Sequence, residues 1–439
     1  MNSLSDTRIT GGLAFVLLFI GGIGTAYMSL VRETPIPAFA SVYCSLFMFL
    51  VWTRPQIALT GIIAVTPFVQ DLGGGLPIKF SLAEVHLLLV FIVYVIKGVI
   101  TRSIRFLGPV TVPVTIYLLV LTWTSLRSGI QEEDIKALAQ TFVTCGVTVA
   151  VFANMVPDAE SMVRSFIWLP IFCLPIAVLE IATGSFNVFG LHKNAIGGSL
   201  AAGVVILANL WYSQVEFTGK RYLIWLLLVL GGGLLISLSR GAWIGTIVGL
   251  TVSGLLWGRI TLVIRTLIVA VPVLLVLWLL LPSEKREYAT GFQADRWNIK
   301  MRMKTQENLQ EIIAKEPVFG VGIGLRKQVD ATNFVLVTLA ESGVIGLVAI
   351  IGVFGTIVRV GFKVCRSDTK QSFVLCGALA VGLLACKIGH GMVDHFWGRG
   401  NGTVVWASIG LLLAADKQRF TRRRSGIQQP VELEQSHGC

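Results

Sequence analysis

The sequence predicts an all-α, polytopic integral membrane protein with about 12–14 transmembrane helices. Charged residues make up 14% of the chain, against ~25% in soluble domains, and hydrophobic residues make up 54%. The mean hydropathy is +0.77. These values exclude a soluble globular enzyme, a disordered chain and a fibrous repeat. Each span is expected to be a helix, because lipid offers no partner to an unpaired backbone group.

Apolar runs long enough to cross the hydrocarbon core recur along the chain, and each predicts one helix. In chain order the runs are 11–30, 36–52, 56–70, 81–100, 108–126, 135–154, 164–182, 196–214, 221–238, 241–257, 261–281, 333–358, 373–393 and 403–415. The runs 56–70 and 403–415 are short, so each is either a short span or a half-inserted helix. The run 11–30 lacks a strongly basic front and a small-residue cleavage site, which favours a retained span over a signal peptide.

Lysine and arginine concentrate in alternate loops, and this asymmetry predicts the orientation. The basic segment Lys417–Arg424 is placed inside, and counting back puts the basic loops around Arg54, Arg164 and Lys363 on the same side. Residues 1–424 then form one transmembrane domain, with a polar, disordered cytoplasmic tail at 425–439. The net charge of +12 therefore serves in part to orient the chain in the membrane, and does not indicate nucleic acid.

Residues 282–331 form a long outside loop that carries nine Lys or Arg and seven Asp or Glu. Arg296, Lys300 and Lys304 recur on one helical face. The apolar residues of a neighbouring stripe are Trp297, Met301, Leu309 and Ile312. This pattern predicts a helix on the outer membrane surface, with its apolar side on the lipid, although a solvated amphipathic loop is the alternative. The glycines of the following turn, 317–324, are expected to let backbone approach a ligand closely.

Ionisable and polar residues gather at the predicted outer face, where they are functional candidates because burial in a span is costly. They are His192, Lys193, Asn194, Arg240, Glu341, Lys387, His390, Asp394, His395 and Arg399. Several segments that bring such groups to one face indicate a shared site for a phosphate or diphosphate, whose oxygens match arginine forks. Three structural alternatives remain. Lys387 and Asp394 could form an ion pair, Glu341 could be a neutral acid bonded to a neighbouring helix, and His192 with Lys193 could contact headgroups.

Motifs between residues 185 and 358 carry a family resemblance. They are Ser239-Arg-Gly-Ala-Trp243, His192-Lys-Asn194-Ala, Arg296-Trp297, Phe319-Gly-Val-Gly-Ile-Gly324 and the segment from Asn333 through Glu341 to Leu347. Together they resemble the O-antigen ligase/polymerase superfamily. The resemblance implies transfer of a glycan from a polyprenyl-diphosphate carrier to a sugar hydroxyl at the outer, periplasmic face of the bacterial cytoplasmic membrane. It also implies that Arg240 and Arg296 bind the diphosphate, and the charge pattern adds Lys300 and Arg399 to that group.

The general base expected from the resemblance is missing, moved or not required, because Thr332 stands where the family usually has histidine, directly before Asn333. A threonine hydroxyl is not a base near neutral pH. The segment His390–Arg399 supplies other candidates, so the predicted catalytic residues are His390, Asp394, His395 and Glu341. The predicted substrate-binding residues are His192, Lys193, Asn194, Thr332 and Asn333.

Two classes of function compete on these observations. The first is a membrane glycosyltransferase, and the second is a transporter of a small anion such as bicarbonate, since intramembrane ionisable groups also mark ion pathways. Polar groups at one face and a long outer loop favour the transferase. Thr332 and the segment His390–Arg399 favour a polymerase or an exopolysaccharide-type ligase, but a lipid A-core ligase stays open.

The expected partners follow from the hypothesis that the protein is a membrane glycosyltransferase. They are the polyprenyl-diphosphate-linked glycan donor, a saccharide or lipid A-core acceptor, membrane lipids and a chain-length regulator protein. No acidic cluster suited to Mg²⁺ occurs on the outer face, so we expect a reaction without a metal or other cofactor.

Overall fold

The protein is described by a computed structural model over residues 35–69, 80–102, 108–185, 188–213, 215, 219–280, 282–290, 297–328, 333–367, 370–394 and 399–424. Within these ranges the fold is all-α, as the sequence predicts, and contains no strand. The predicted span 11–30 and the predicted tail 425–439 lie outside the described residues.

The helices follow one another in this order. Before residue 156 they are α1 (Pro35–Thr53), α2 (Pro55–Val65), α3 (Leu82–Ile100), α4 (Thr111–Arg127), α5 (Glu132–Thr141) and α6 (Thr148–Met155). Up to residue 280 they are α7 (Ala159–Arg164), α8 (Trp168–Thr183), α9 (Lys193–Tyr212), α10 (Leu223–Ile236), α11 (Arg240–Leu256) and α12 (Ile260–Leu280). The rest are α13 (Ser283–Thr290), α14 (Trp297–Lys315), α15 (Leu325–Gln328), α16 (Phe334–Ser367), α17 (Gln371–Gly391) and α18 (Arg399–Arg424). The π-helical segment Phe142–Val147 joins α5 to α6.

Every predicted span from 36–52 onward coincides with a helix, and in the described part 7 helical segments are long and apolar enough to cross a membrane. These segments are Leu82–Ile100, Gly108–Arg127, Glu132–Met155, Ala159–Thr183, Lys193–Tyr212, Phe334–Arg366 and Gln371–Gly391. The predicted run 56–70 forms only the 11-residue α2. A helix of that length rises about 16 Å, which is shorter than a hydrocarbon core of about 30 Å. By contrast, the run 403–415 belongs to the 26-residue α18.

Alternate loops meet at opposite ends of the helical bundle, as the basic-residue pattern predicts. At one end, Lys370 Nζ lies 2.6 Å from a Glu160 carboxylate oxygen, and the Arg419 guanidinium donates to the Lys363 carbonyl at 3.3 Å. We call this end the inner end, following the predicted orientation. At the other, outer end, Arg127 forms a 2.9 Å ion pair with Glu316.

α11 and α17 pack closely through small residues, without intervening side chains. A Cβ atom added to Gly245 would lie 2.4 Å from the Cys386 carbonyl oxygen, and one added to Gly249 would lie 2.7 Å from the Cys386 Cβ. A Cβ atom on Gly382 would lie 2.1 Å from the Ser253 hydroxyl. Small residues four apart let helices in a membrane gain van der Waals contact that lipid cannot supply. The axis spacing between α11 and α17 therefore depends on these glycines.

We expect Gly249→Ala to destabilise the protein by about 1–3 kcal/mol, since the added methyl must displace α17. Gly352→Ala on α16 is the matched control, because no atom lies within 4 Å of the position that its new Cβ would take. The measurement is the thermal unfolding of both variants in detergent. Equal melting temperatures for the two variants would contradict the close packing of α11 on α17.

Candidate functional site

The long helix α16 is broken at Gly343, ten residues after the predicted substrate-binding residue Asn333. Gly343 has φ 62° and ψ −166°, which is not a helical conformation. A break of this kind leaves backbone groups of the preceding and following turns without helical partners, and in a membrane each unpaired group is costly. The segment 317–322 supplies the partners. Val321 and Gly322 donate to the carbonyls of Ala340 and Glu341 at 2.9 Å.

The opposite edge of the break is paired in the same way. Val344 donates to the Pro317 carbonyl at 3.0 Å, so segment 317–322 both donates and accepts. Two glycines make this approach feasible. A Cβ on Gly343 would lie 2.1 Å from the Val318 carbonyl oxygen, and a Cβ on Gly320 would lie 2.4 Å from the carbonyl carbon of Glu341. The expectation that these loop glycines approach a ligand is therefore wrong for Gly320, which approaches the chain itself.

Glu341 sits at the break and is completely buried, and Arg326 neutralises it. The Arg326 Nε donates to both carboxylate oxygens at 2.8 and 2.9 Å, the Arg326 backbone N–H adds a third bond at 2.8 Å, and Nη2 also bonds to the carboxylate. Burial disfavours the charged form of Arg326, but the facing carboxylate outweighs it and raises the pKa of the guanidinium. The structure thus places the predicted catalytic residue Glu341 in a fully paired ion pair.

Asp134 anchors the same loop from the other side. Its Oδ1 accepts the Gly324 N–H at 2.8 Å and the Ser125 hydroxyl at 3.0 Å, while its Oδ2 caps α5 by accepting the Gln131 N–H at 3.0 Å. A Cβ on Gly322 would lie 2.7 Å from the Asp134 carboxylate. The loop after α14 is therefore held in place by its contacts with the hairpin between α4 and α5.

The predicted surface helix is present as α14, but its apolar stripe contacts protein rather than lipid at its C-terminal half. Leu309 is completely buried in a cluster with Val337 and Ala340 of α16, and Ile312 packs against that cluster. On the opposite side, the side chain of Lys300 is exposed. α14 therefore lies against the outer half of α16, with Lys300 exposed on its other side.

His390 occupies a buried position in the last turn of α17, between the second turn of α9 and the first turn of α11. It is 2% exposed. A Cβ on Gly241 would lie 2.7 Å from the imidazole Cδ2, and one on Gly198 would lie 3.2 Å from its Cε1. Gly241 directly follows Arg240, the first residue of α11. The glycine of the Ser-Arg-Gly motif thus makes room for the imidazole beside Arg240.

Two polar atoms at this junction have no hydrogen-bond partner among the described residues. They are the His390 Nε2 and the Ser239 hydroxyl, and both are buried. Ser239 is the N-cap residue of α11, yet its hydroxyl makes no capping bond. Because buried polar groups in proteins are nearly always paired, two unpaired ones beside a helix N-terminus make this junction a candidate binding site.

Asp394 and Asn333 connect the end of α17 to the outer elements. Arg302 of α14 donates to both Asp394 carboxylate oxygens at 3.1 and 3.3 Å. The Asn333 side chain caps α16 by accepting the Val335 N–H at 2.9 Å, and its amide donates to the Met392 carbonyl at 3.1 Å. Both residues therefore fix the position of the chain just beyond His390.

The remaining described candidates lie where α9 and α18 begin. The His192 Nδ1 accepts the Asn194 N–H at 3.3 Å, so His192 is the N-cap of α9 and precedes Lys193. The Asn401 amide of α18 donates to the Ala195 carbonyl at 2.9 Å, which brings the start of α18 to the start of α9. Arg296, Thr332, His395 and the side chain of Arg399 lie outside the described residues.

The structure thus divides the predicted site residues into two groups. His390, Asp394, Asn333, Arg240 and the segment 192–194 belong to elements that meet at one junction. Glu341 lies apart from that junction, in the pair with Arg326.

Sequence reasoning did not single out four residues that organise these groups. They are Asp134, Ser239, Arg302 and Arg326. Ser239 lies within a recognised motif, and Arg302 and Arg326 were counted among the basic residues of the outer loop. No spacing signal connects Asp134 to a loop 190 residues away.

Comparison with known proteins bears on the central part of the chain. Residues 225–351 match the family described as O-Antigen ligase. This segment is similar to the O-antigen ligase family. It contains the Ser239–Trp243 motif, α14 and the break in α16, so the resemblance predicted from these motifs is confirmed. The match supports glycan transfer of the O-antigen ligase or polymerase type at the level of the family. No curated protein matches the chain.

The matched segment ends before α17, so His390 and Asp394 lie outside the match, as do His192, Lys193 and Asn194. The structure nevertheless brings His390 into contact with Gly241, which lies inside the matched segment. The junction is therefore built from the family segment together with α9 and α17.

We expect Glu341→Gln to destabilise the protein by about 3 kcal/mol, because it leaves the Arg326 charge partly buried without its counter-charge. Glu132→Gln is the matched control, since Glu132 pairs with Lys136 on the surface at 2.6 Å and its side chain is 67% exposed. Thermal unfolding in detergent measures both. The role of the ion pair at the break would be refuted if Glu341→Gln unfolded no earlier than Glu132→Gln.

A charge exchange tests the contact between α14 and α17. Arg302→Asp and Asp394→Arg should each lower the melting temperature and expose α14 to added protease, since each places like charges together. The double variant should recover about 1 kcal/mol of stability and most of the protection. Absence of any recovery would show that Asp394 and Arg302 do not stabilise the protein as a pair.

Proposed function

We propose that the protein transfers a glycan from a polyprenyl-diphosphate carrier to a sugar hydroxyl at the outer face of the bacterial cytoplasmic membrane. The observation that carries this proposal is the junction at the start of α11. There, Arg240 begins a helix whose first turn contacts a buried histidine with an unpaired ring nitrogen. Such a junction combines a cation, a helix N-terminus and a proton acceptor within one site.

The diphosphate is the leaving group, so the site must stabilise the charge that develops on it. The N-terminus of α11 carries partial positive charge and its first N–H groups, which suits a phosphate oxygen. Arg240 adds a planar guanidinium that can bond two oxygens at once. Arg296 directly precedes α14, and Lys300 lies one turn into it on an exposed face. Together with Arg399 at the start of α18, they form the proposed diphosphate-binding group.

The proposed reaction breaks one bond and forms one bond at the anomeric carbon of the donor sugar. The acceptor hydroxyl oxygen attacks this carbon, the bond from the carbon to the diphosphate oxygen breaks, and the carrier diphosphate departs with the electron pair. The hydroxyl proton passes to a base, and we assign this role to His390 because its Nε2 is unpaired. A neutral imidazole can accept a proton near neutral pH, whereas Thr332 cannot.

The other predicted residues take supporting roles in the proposal. Asp394 bonds to Arg302, which fits a positioning role for Asp394 better than proton transfer. Glu341 is paired with Arg326, so a positioning role fits Glu341 better as well. His192, Lys193, Asn194 and Asn333 lie at the helix starts around the junction, where they would contact donor or acceptor sugars. His395 and Thr332 remain candidates from sequence alone.

We expect Arg240→Ala and Arg296→Ala each to lower glycan transfer about 100-fold or more, because each removes charge stabilisation from the leaving group. His390→Ala should lower it to a similar extent through loss of the base. The measurement is complementation of a deletion strain, read as the polysaccharide profile on a gel. Membrane levels of each variant are determined in parallel.

Two matched controls accompany these variants. Arg221→Ala removes an arginine from the predicted inner face, and His86→Ala removes a buried histidine of α3 that hydrogen-bonds to Tyr43. Both should retain transfer. Normal profiles in the Arg240 and Arg296 variants would refute the assignment, and a normal profile in the His390 variant would refute the proposed base.

The deletion strain also separates the kinds of transfer. Single repeats without long chains would indicate a polymerase, and loss of all glycan on lipid A-core would indicate a ligase. An unchanged polysaccharide profile together with reduced bicarbonate uptake would support the transporter and refute the proposal.

A further inference from the structure

Glu180 is a second buried carboxyl group. It forms no ion pair among the described residues, and the proposed transfer reaction does not use it. It lies in α8, one turn before the outer end of that helix, and is 0% exposed. Neither of its carboxylate oxygens has a hydrogen-bond partner among the described residues. Glu341 is equally buried, but Arg326 pairs with it. The two carboxyl groups therefore have the same burial, but only Glu341 has a counter-charge beside it.

The helices that pack around Glu180 contain almost no charged or titratable side chains. α2 (Pro55–Val65) and α10 (Leu223–Ile236) contain no titratable residue, and α9 has only Lys193 and Tyr212 at its two ends. The other titratable group of α8 is Cys173, two turns further in, whose thiol donates to the Ser199 carbonyl at 3.7 Å. An ionised carboxylate in such surroundings lacks compensation, and proteins avoid this state by binding a proton.

Close packing against a glycine segment keeps other donors away from Glu180. α10 carries Gly231-Gly232-Gly233, and a Cβ on Gly233 would lie 2.9 Å from the Ala177 Cα and 3.4 Å from the Glu180 Oε2. Gly233 precedes Ser237 by one turn, and Ser237 accepts the Ser239 N–H at 3.3 Å. The carboxyl group therefore lies about one helical turn below the hairpin that presents Arg240.

We propose that Glu180 is a proton-binding site within the membrane, and that its bound proton holds α8 against the glycine segment of α10 beneath the Ser239–Arg240 hairpin. Loss of the proton would place a bare charge between the two helices and separate them. The neighbouring residues Leu179 and Ile181 face outward with 37% and 38% exposure, so an apolar reagent dissolved in lipid has a short path to the site. The site does not depend on the glycan-transfer proposal.

A hydrophobic carbodiimide tests this state, because it reacts with protonated carboxyl groups in apolar surroundings. The carboxyl proton moves to a carbodiimide nitrogen, the carboxylate oxygen bonds to the central carbon, and the O-acylisourea rearranges to a stable N-acylurea without oxidation or reduction. Membranes containing the full chain are treated with dicyclohexylcarbodiimide or with a water-soluble carbodiimide at neutral pH, and the peptides are mapped by mass spectrometry.

The expected result is an adduct on Glu180 with the hydrophobic reagent alone. Two internal controls are read from the same digest, since Glu341 is buried but ion-paired and Glu132 is exposed. Glu341 should stay unlabelled with both reagents, and Glu132 should be open to the water-soluble one. Absence of the Glu180 adduct, or equal labelling of Glu180 by both reagents, would overturn the proposal.

A second measurement follows the helix packing. A folded state that binds an extra proton loses stability as the pH rises, so the melting temperature of the parent protein should fall at alkaline pH. Glu180→Gln keeps the shape without the ionisable proton and should show a smaller fall, with no adduct on residue 180. Equal pH dependence of the two proteins would overturn the proposed link between the proton and the packing of α8 on α10.

Discussion

The pairing of the broken backbone in α16 is the constraint on which the outer end of the molecule depends. A helix that breaks in lipid must find new partners for its freed N–H and C=O groups, and segment 317–322 supplies them on both edges of the break. Gly320 and Gly343 allow the two backbones to meet. Arg326 then reaches Glu341 directly below. These hydrogen bonds hold the outer segment on the transmembrane bundle. Breaking any one of them would leave a backbone N–H and a carbonyl group unpaired.

A second constraint joins the stability of the bundle to the candidate chemistry. The glycines of α11 bring its backbone against α17, and the same approach puts the imidazole of His390 beside Gly241 and hence next to Arg240. Larger residues at these positions would separate both the helices and the proposed base from the proposed anion-binding residue. The unpaired hydroxyl of Ser239 and the unpaired Nε2 of His390 lie at this contact. Packing and function therefore impose the same requirement on α11.

The pairing of polar side chains was the part that local patterns could not predict. The spacing of Lys387, His390 and Asp394 suggested an ion pair within one helix, whereas the Asp394 carboxylate bonds to Arg302 of α14. Glu341 looked like a catalytic acid or a neutral acid, and its partner is Arg326, fifteen residues earlier in the short helix α15. In each case the partner belongs to a loop or surface helix whose docking is set by distant contacts such as Gly324 with Asp134.

The sequence alone determined the all-α membrane class, the order and approximate bounds of the helices, the range of the outer surface helix and the resemblance of the central segment to a known family. These follow from hydropathy, helical period and local motifs, which act over a few turns of chain. Only the tertiary structure decided which polar residues share a site, that the loop glycines serve the break in α16, and that Glu180 has no counter-charge among the described residues. The physical reason is that lipid makes each helix nearly independent in its formation, while pairing and close approach depend on contacts between residues far apart in the chain.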